Sequence, residues 1–269
     1  MERPSWAPGE IDLERPSIAR VYDYYLGGSH NFPADREFAR ESAKVVPELP
    51  VVARASRWFL DRAVRFLVEV GVRQFLDLGS GIPTVGNVHE VAQAAAPESR
   101  AVYVDVDPVA VAHSQAILAR NERAVIIQAD LREPERILDD PEVRRLLDLD
   151  EPVGVLMVAV LHFFPDSQAP ASVVAGYRDA IVPGSHLVIS HASYGTEPDQ
   201  AERAAAMYRR GASSVTLRSR REIAALFGGF ELIDPGIVAP PLWRPGSPGE
   251  VGDGVARFPG LVGVGRKPR

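Results

Sequence analysis

The chain has 269 residues, 46% of them hydrophobic, which suffices for one substantial core and favours a single large domain. A net charge of -6 gives no general electrostatic ground for a nucleic-acid partner, and the absence of cysteine excludes disulfides, thiolate metal ligands and a cysteine nucleophile. Met1-Glu2-Arg3-Pro4-Ser5-Trp6 lacks the apolar stretch of a signal peptide, and no segment reaches the roughly 20 apolar residues of a membrane span, so a cytoplasmic protein without membrane contact is expected.

In chain order, residues 16–36 come first as an unusual segment: a short helix that breaks at Gly27-Gly28 and runs into a polar-aromatic loop. Residues 54–70 form an amphipathic helix, with Phe59, Ala63, Phe66, Leu67 and Val70 on one face and Gly71 as its stop. From residue 75 onward, apolar runs rich in Val, Ile and Leu alternate with helical patterns. The runs 75–78, 101–105, 124–128, 153–158 and 186–190 read as five parallel strands buried on both faces. Between them lie helices at 84–96, 108–120, 134–149 and 171–182. Asp107 is the N-cap of the second, with Pro108 in its first position, and Pro141 splits the third in two. A helix over 197–210 follows, then one opened by the Ser219-x-x-Glu222 capping box and ending at Gly228-Gly229. Two more strands, 230–238 and 260–265, flank a Pro- and Gly-rich surface excursion over 240–259.

The chemistry concentrates where the first two strands end. Phe75-Leu76-Asp77-Leu78-Gly79-Ser80-Gly81-Ile82-Pro83 is a strand entering a Gly-x-Gly turn, and Val102-Tyr103-Val104-Asp105-Val106-Asp107-Pro108 is a strand ending in a carboxylate. Glycine admits backbone angles that a Cβ forbids and lets a ligand approach the main chain, while the acid can accept both hydroxyl hydrogens of a ribose. A dinucleotide would want a third glycine, where this chain has Thr84. S-adenosylmethionine (SAM) carries no phosphate and suits the shorter motif. Asp77, Gly79, Ser80 and Gly81 can then contact its amino-acid end, Asp105 its ribose and Val106 its adenine. Asp130, with Leu131 beside it, either accepts from adenine N6 or caps the turn after the third strand. Asp77 and the glycines have a plainer alternative as a tight strand-to-helix turn.

At these residues the chain resembles the class I SAM-dependent methyltransferases, and more closely the S-adenosyl methyltransferase family known as a domain of unknown function. The shared elements are Ala19-Arg20-Val21-Tyr22-Asp23-Tyr24-x-Leu26-Gly27-Gly28-x-x-Asn31-Phe32, the glycine motif, the acidic strand end and the closing Val262-Gly263-Val264-Gly265-Arg266-Lys267-Pro268. The resemblance implies a Rossmann-like α/β fold, a mostly parallel seven-stranded sheet whose last strand inserts antiparallel. It implies SAM as cofactor and S-adenosylhomocysteine as product, with the residues matching Asp77, Gly79 and Gly81 at the methionine end, Asp105 at the ribose and Asp130 near adenine. Asp107 is a rival ribose ligand whose expected work is the helix cap.

Methyl transfer from a sulfonium is an in-line displacement whose leaving group needs no proton, so a base is optional. Val160-Leu161-His162-Phe163-Phe164-Pro165 follows the fourth strand and His191 the fifth, which brings both histidines to the same rim. His162 is the candidate base, with His191 a weaker one, and Phe163 and Phe164 shape the acceptor pocket; a structural histidine is the alternative for each. The segment with Tyr22, Gly28 and Asn31 either folds over the cofactor as a lid or packs on the sheet. The arginines of 203–221 either bind an acidic acceptor or cover a solvated face. The remaining histidines have no metal-ligand spacing, so no metal is expected. The fourth strand lacks the Asn/Asp-Pro-Pro-Tyr/Phe pattern of amino methyltransferases acting on DNA bases or protein glutamine.

These readings combine into a helical lid over residues 1–70 and a SAM-binding core over 71–269, together one compact domain. The expected activity is methyl transfer to a small-molecule acceptor at oxygen, with a silent SAM-binding regulator or an NAD-type oxidoreductase as alternatives. Nothing in the sequence excludes a homo-oligomer.

Overall fold

The computed structural model describes residues 12–83, 86–195, 198–211, 213–246 and 258–269. Five strands, β1 (Gln74–Leu78), β2 (Arg100–Asp105), β3 (Ala124–Gln128), β4 (Val153–Val158) and β5 (His186–Ala192), pair in parallel. The last strand, β7 (Gly260–Arg266), inserts antiparallel beside β5, and the two-residue β6 (Glu231–Leu232) closes the edge against it. The order is β3-β2-β1-β4-β5-β7-β6, so the chain reverses direction across the sheet between β1 and β4. At such a switch point the loops after the two strands diverge and leave a crevice at their carboxyl ends.

Alternation along the strands supplies both faces. Leu76, Leu78, Val102, Val104, Val155 and Met157 pack on one side with Ile137, Val143, Val174, Tyr177 and Phe227 from α6 (Pro134–Leu138), α7 (Pro141–Leu146), α8 (Pro170–Ala180) and the turn that ends α10 (Arg220–Ala225). Phe75, Ala101, Leu156, Val188 and Val262 pack on the other side against α3 (Leu49–Glu69), α4 (Val88–Ala95) and α5 (Pro108–Leu118). The α3 stripe of Phe59, Ala63 and Leu67 is wholly buried there, so α3 is a layer of the sheet's own core. Val70, expected on that stripe, is half exposed because the helix has ended one residue earlier.

Above the strand tips lie α1 (Ile18–Tyr25), α2 (Pro33–Val45) and α9 (Pro198–Gly211), which share a smaller cluster of Val21, Tyr25, Phe38 and Ala39 with Met207 and Tyr208. α2 is not among the helices expected from the sequence pattern. Its start was encoded all the same: Pro33 takes the first helical position, and Asp35 accepts the Phe32 N–H at 2.8 Å. Asp35 also accepts the Ser17 N–H at 2.9 Å and lies 3.2 Å from buried Arg20, which ties both short helices together.

Other boundaries moved for local reasons. The helix expected from Thr84 starts at Val88, where Asn87 takes an extended conformation and its N–H donates to Glu90 at 2.9 Å; Thr84 and Val85 lie outside the described residues. Residues 230–238 keep only β6 and a bridge from Val238 to Val262, since Pro235 offers no N–H and Gly236 turns at φ 78°. The excursion from residue 240 is not all surface: Trp243 is fully buried against Phe59, with ring centroids 5.4 Å apart, while 247–257 lie outside the described residues.

Candidate functional site

A cavity of about 670 Å³ lies between the carboxyl ends of the parallel strands and the helices α1, α3 and α9. That is within the roughly 300–1,000 Å³ of small-molecule sites. One end of it is built by the tips of β1, β2 and β3, the other by the tips of β4 and β5.

At the first end, Asp77 is buried in β1, and burial pushes its carboxyl up to about 7, with the positive charge of Arg57 drawing it down and Asp105 adding to the rise. The turn that follows carries Gly79 and Gly81 at φ 73° and 68°. A Cβ on Gly79 would sit 2.5 Å from Val160 Cγ2, whereas a Cβ on Gly81 would meet open space. The turn is held from β2. Val104 O accepts the Gly79 and Ser80 N–H groups at 2.8 and 3.2 Å, and Asp105 Oδ2 accepts the Gly81 N–H at 2.7 Å. Asp105 Oδ1 accepts the Asp107 N–H at 2.8 Å, and burial, outweighing these donors, pushes this carboxyl up to about 6. Asp107 caps α5 by accepting the Val109 N–H at 2.8 Å and also accepts the Ser17 hydroxyl, so it is the helix cap and a tie to the segment before α1.

Asp130 is at the cavity wall with Leu131, but both its oxygens are engaged: Arg132 Nε lies 2.9 Å from each. That guanidinium holds the Asp130 carboxyl below the usual carboxylate range. Val106 is 66% exposed at the cavity edge, an apolar side chain left uncovered beside Asp105.

At the second end, β4 leaves the sheet through Ala159 at φ 57°, and a 3-10 turn, Leu161–Phe163, sets His162 and Phe163 on the wall with Phe164 after them. His162 Nδ1 accepts the Ala192 N–H at 3.4 Å, and burial lowers this imidazole well below its ordinary value, with His191 and Arg218 adding to the effect. His191 is different from what its position suggested. Its Nδ1 donates to Ala192 O at 2.7 Å and its Nε2 accepts from Arg218 Nη1 at 2.8 Å. The ring's only lone pair is therefore taken by a guanidinium, and burial lowers its pKa to about 4, so His191 is not placed to remove a proton.

The structure thus brings Asp77, Gly79, Ser80, Gly81, Asp105, Val106, Asp130, Leu131, His162, Phe163 and Phe164 to one cavity, together with Tyr22, whose hydroxyl donates to Ala53 O at 3.0 Å. Gly28 and Asn31 are not brought there. Asn31 Nδ2 donates to buried Asp23 at 2.8 Å and to Gly28 O at 2.9 Å, and a Cβ on Gly28 would lie 2.0 Å from Asp23 Oδ1, so these residues lock the loop after α1 upon itself. Sequence reasoning missed Arg57, Tyr208 and Arg218. The last falls among the arginines of 203–221, expected either to bind an acidic acceptor or to cover a solvated face, yet it is 4% exposed and bonded within the protein. Nothing local marks it, since its partners come from residues 161–191.

A family model for S-adenosyl methyltransferases matches residues 4–268. The chain belongs to that family. SAM is accordingly its cofactor, and the family and the fold are those of SAM-dependent methyltransferases. A putative methyltransferase from Thermobifida fusca is 41% identical, with a TM-score of 0.94 over 99% of this chain and 100% of that one. A DUF574 family protein from Streptomyces avermitilis is 39% identical, with a TM-score of 0.91 over 96% and 99% of the two chains. An O-methyltransferase family protein from Burkholderia thailandensis shares the fold alone, at 14% identity and a TM-score of 0.53 over 95% of this chain and 65% of that one. No curated protein matches the chain.

The first end of the cavity fits the cofactor of this family. Ser80 Oγ is buried without a hydrogen-bond partner, Gly81 leaves open space, and Asp105 is buried at a strand tip beside uncovered Val106. Among the described residues, no three His, Asp or Glu side chains are grouped to hold a metal ion, and no helix is long and apolar enough to cross a membrane.

Proposed function

We propose that this methyltransferase acts on a hydroxyl oxygen of a small acceptor bound between His162 and the lid helices. The observation that carries this reading is the division of charge along one cavity. Every carboxylate on its wall among the described residues, Asp77, Asp105, Asp107 and Asp130, belongs to the tips of β1–β3. The acceptor end offers Phe163, Phe164, Tyr25, Tyr208, His162 and serine hydroxyls, with no carboxylate that would hold an ammonium acceptor. Burial raises the Tyr25 and Tyr208 phenols, so both present neutral hydroxyls.

SAM supplies an electrophilic methyl group on a sulfonium. This chain's part is to bind, align and keep dry. Asp105 would hold the ribose hydroxyls while keeping the glycine turn in place through Gly81 N–H; Asp77, Gly79, Ser80 and Gly81 would surround the amino-acid portion; Val106 and Leu131 would flank adenine beside the Asp130–Arg132 pair. Tyr22, carried by α1 and bonded to α3 through Ala53 O, would exclude water from the space over the turn. Phe163 and Phe164 restrict the acceptor to a planar approach, and His162 is the polar group that meets its oxygen. A cavity walled by α1, α3 and α9 suits a small molecule rather than a nucleic acid.

The test is a two-stage measurement on the full chain. Calorimetry with SAM and S-adenosylhomocysteine should give binding, and NAD should give none. A panel of hydroxylated, aminated and carboxylated aromatic compounds, read by S-adenosylhomocysteine formation, should then show turnover with hydroxyl compounds first. Turnover confined to amines would overturn the oxygen assignment, and tight SAM binding without turnover on any acceptor would point to a silent binding protein.

A further inference from the structure

Arg218 is buried between His191 and the turn that carries His162. Its Nη1 donates to His191 Nε2 at 2.8 Å and to Leu161 O at 3.3 Å; its Nη2 donates to Phe164 O at 3.0 Å and to Asp166 Oδ1 at 2.6 Å. Leu161 and Phe164 bracket the turn with His162 inside it, so one guanidinium holds both ends of that turn. The segment leading into Arg218 adds a main-chain latch, with the Thr216 N–H donating to His162 O at 2.7 Å and the Arg218 N–H to Ala192 O at 3.3 Å.

These contacts have a consequence for protons. A guanidinium has only donors, so His191 Nε2 must accept and its Nδ1 must carry the hydrogen it gives to Ala192 O. That bond fixes the residue whose own N–H points at His162 Nδ1. A hydrogen on His162 Nδ1 would face another N–H, so the neutral ring carries its hydrogen on Nε2. The hydrogen bonds that His162 makes among the described residues use Nδ1 and the main-chain oxygen, and His162 lines the cavity.

We infer that Arg218 is a positioning residue that acts through His191 and Ala192 to hold His162 as an Nε2–H donor toward the acceptor. This deepens the proposed function and rests on it for the acceptor. It revises the expectation that His162 is a base: a donor held at this point binds and aligns the acceptor oxygen, and the acceptor it suits is a hydroxyl acidic enough to arrive ionised, such as a phenol or enol. The bond between oxygen and methyl carbon forms as the carbon–sulfur bond breaks, and the phenolate charge is neutralised in the same step. Arg218, Asp166 and Glu222 are the charged groups that face the His162–His191 pair; burial together with Arg218 keeps both rings uncharged, against the smaller pull of the two carboxylates on His191.

The experiment reads tautomers directly and needs no acceptor. Full-length protein labelled with nitrogen-15 histidine, in long-range proton–nitrogen correlation spectra, should show His162 as Nε2–H and His191 as Nδ1–H. Neither should titrate near the free-imidazole value of about 6.5. In Arg218→Gln the His162 signals should move toward a mixture of tautomers and begin to titrate, and Arg218→Lys should restore part of the pattern. Asp166 is 83% exposed at its side chain, so Asp166→Asn keeps the fold and should shift His191 and His162 in the same direction by less. With an acceptor that turns over, Arg218→Gln should lower kcat by about 10²-fold with KM for SAM unchanged. His162 as Nδ1–H in the unaltered protein overturns the inference. So does a folded Arg218→Gln with unchanged His162 signals, or, should that variant not fold, an Asp166→Asn spectrum identical to the parent's. Calorimetry on the same samples separates the two readings: loss of SAM binding by the unaltered protein would sink the proposed function and leave the tautomers to be judged alone.

Discussion

At both ends of the cavity burial disfavours the charged form of ionisable groups, and it shifts the two ends in opposite directions. At the tips of β1 and β2, burial raises two carboxyls, Asp77 to about 7 and Asp105 to about 6. At the tips of β4 and β5, burial lowers two imidazoles, His191 to about 4 and His162 well below its ordinary value. The carboxyls are tuned to gain charge when a cation arrives beside them. The imidazoles stay uncharged near neutral pH, so they add no positive charge to that of Arg57 and Arg132 on the cavity wall.

The sharpest way to break this contrast is to take the charge from the first end. Asp105→Asn should weaken SAM binding by about 10²-fold, since charge-assisted hydrogen bonds are each worth about 1.5–3 kcal/mol and 1.4 kcal/mol is tenfold. Asp130→Asn should cost only a few-fold, because Arg132 already occupies that carboxylate. Calorimetry checks both, and equal losses would mean that Asp130 leaves Arg132 to meet the ligand.

Next in size is the point where the two ends touch. Gly79→Ala places a Cβ 2.5 Å from Val160 Cγ2, at a φ that L residues rarely adopt. Overpacking and strain together should cost about 2–3 kcal/mol in a denaturant titration. A loss below about 1 kcal/mol would mean that Val160 swings aside, and that the two ends are less rigidly joined than the contact implies.

The pH dependence of stability separates the ends by sign. A carboxyl whose folded pKa is raised binds more protons in the folded state between its unfolded value of 3.8 and its folded one. Asp77 and Asp105 therefore add stability to the ligand-free protein as pH falls from about 7 toward 4. His191 does the reverse: lowered from 6.5 to about 4, it binds more protons unfolded, and its contribution is lost as pH falls through that window. Melting curves at pH 7.5 and 5 should show Asp77→Asn less favoured by acid than the parent, and His191→Gln more favoured. Shifts of the same sign in the two variants would remove the contrast.

The same division explains what could be read from the sequence. The first end is local: Asp77 to Gly81 is one strand and its turn, and Asp105 and Asp107 lie one strand further on, so spacing alone brings them together. The strands themselves were legible because a parallel sheet buried on both faces leaves unbroken apolar runs. The second end joins residues 161–166, 191, 216–218, 22–25 and 208, and no periodicity links an arginine at 218 to a turn at 161. Position suggested that His191 shared the rim with His162; only the guanidinium on its Nε2 shows that it cannot serve as His162 does. Gly28 and Asn31 misled in another way. Gly28 is required by Asp23 Oδ1 rather than by a ligand, and a glycine's sequence does not say which neighbour excludes the Cβ.

The smallest effect tests whether strain is part of the acceptor end. Both ends use the left-handed backbone region, with Gly81 at φ 68° in one and Ala159 at φ 57° in the other. Glycine takes that conformation freely, while alanine carries about 1–2 kcal/mol of strain in it. Ala159 is where β4 turns toward His162, and its N–H is bonded to Ser190 O at 3.1 Å, so β5 helps to hold the strained residue in place. Ala159→Gly should release the strain but lose backbone entropy, for a net gain of about 0.5–1 kcal/mol and about 2 °C in Tm. Gly81→Ala, which meets open space, should lose about 1 kcal/mol, opposite in sign and similar in size. If Ala159→Gly gains stability and also slows turnover with SAM affinity unchanged, the strain holds the His162 turn in register with the acceptor. If it loses stability, the Ala159 methyl is packing rather than strained, and the left-handed turn has no bearing on where His162 sits.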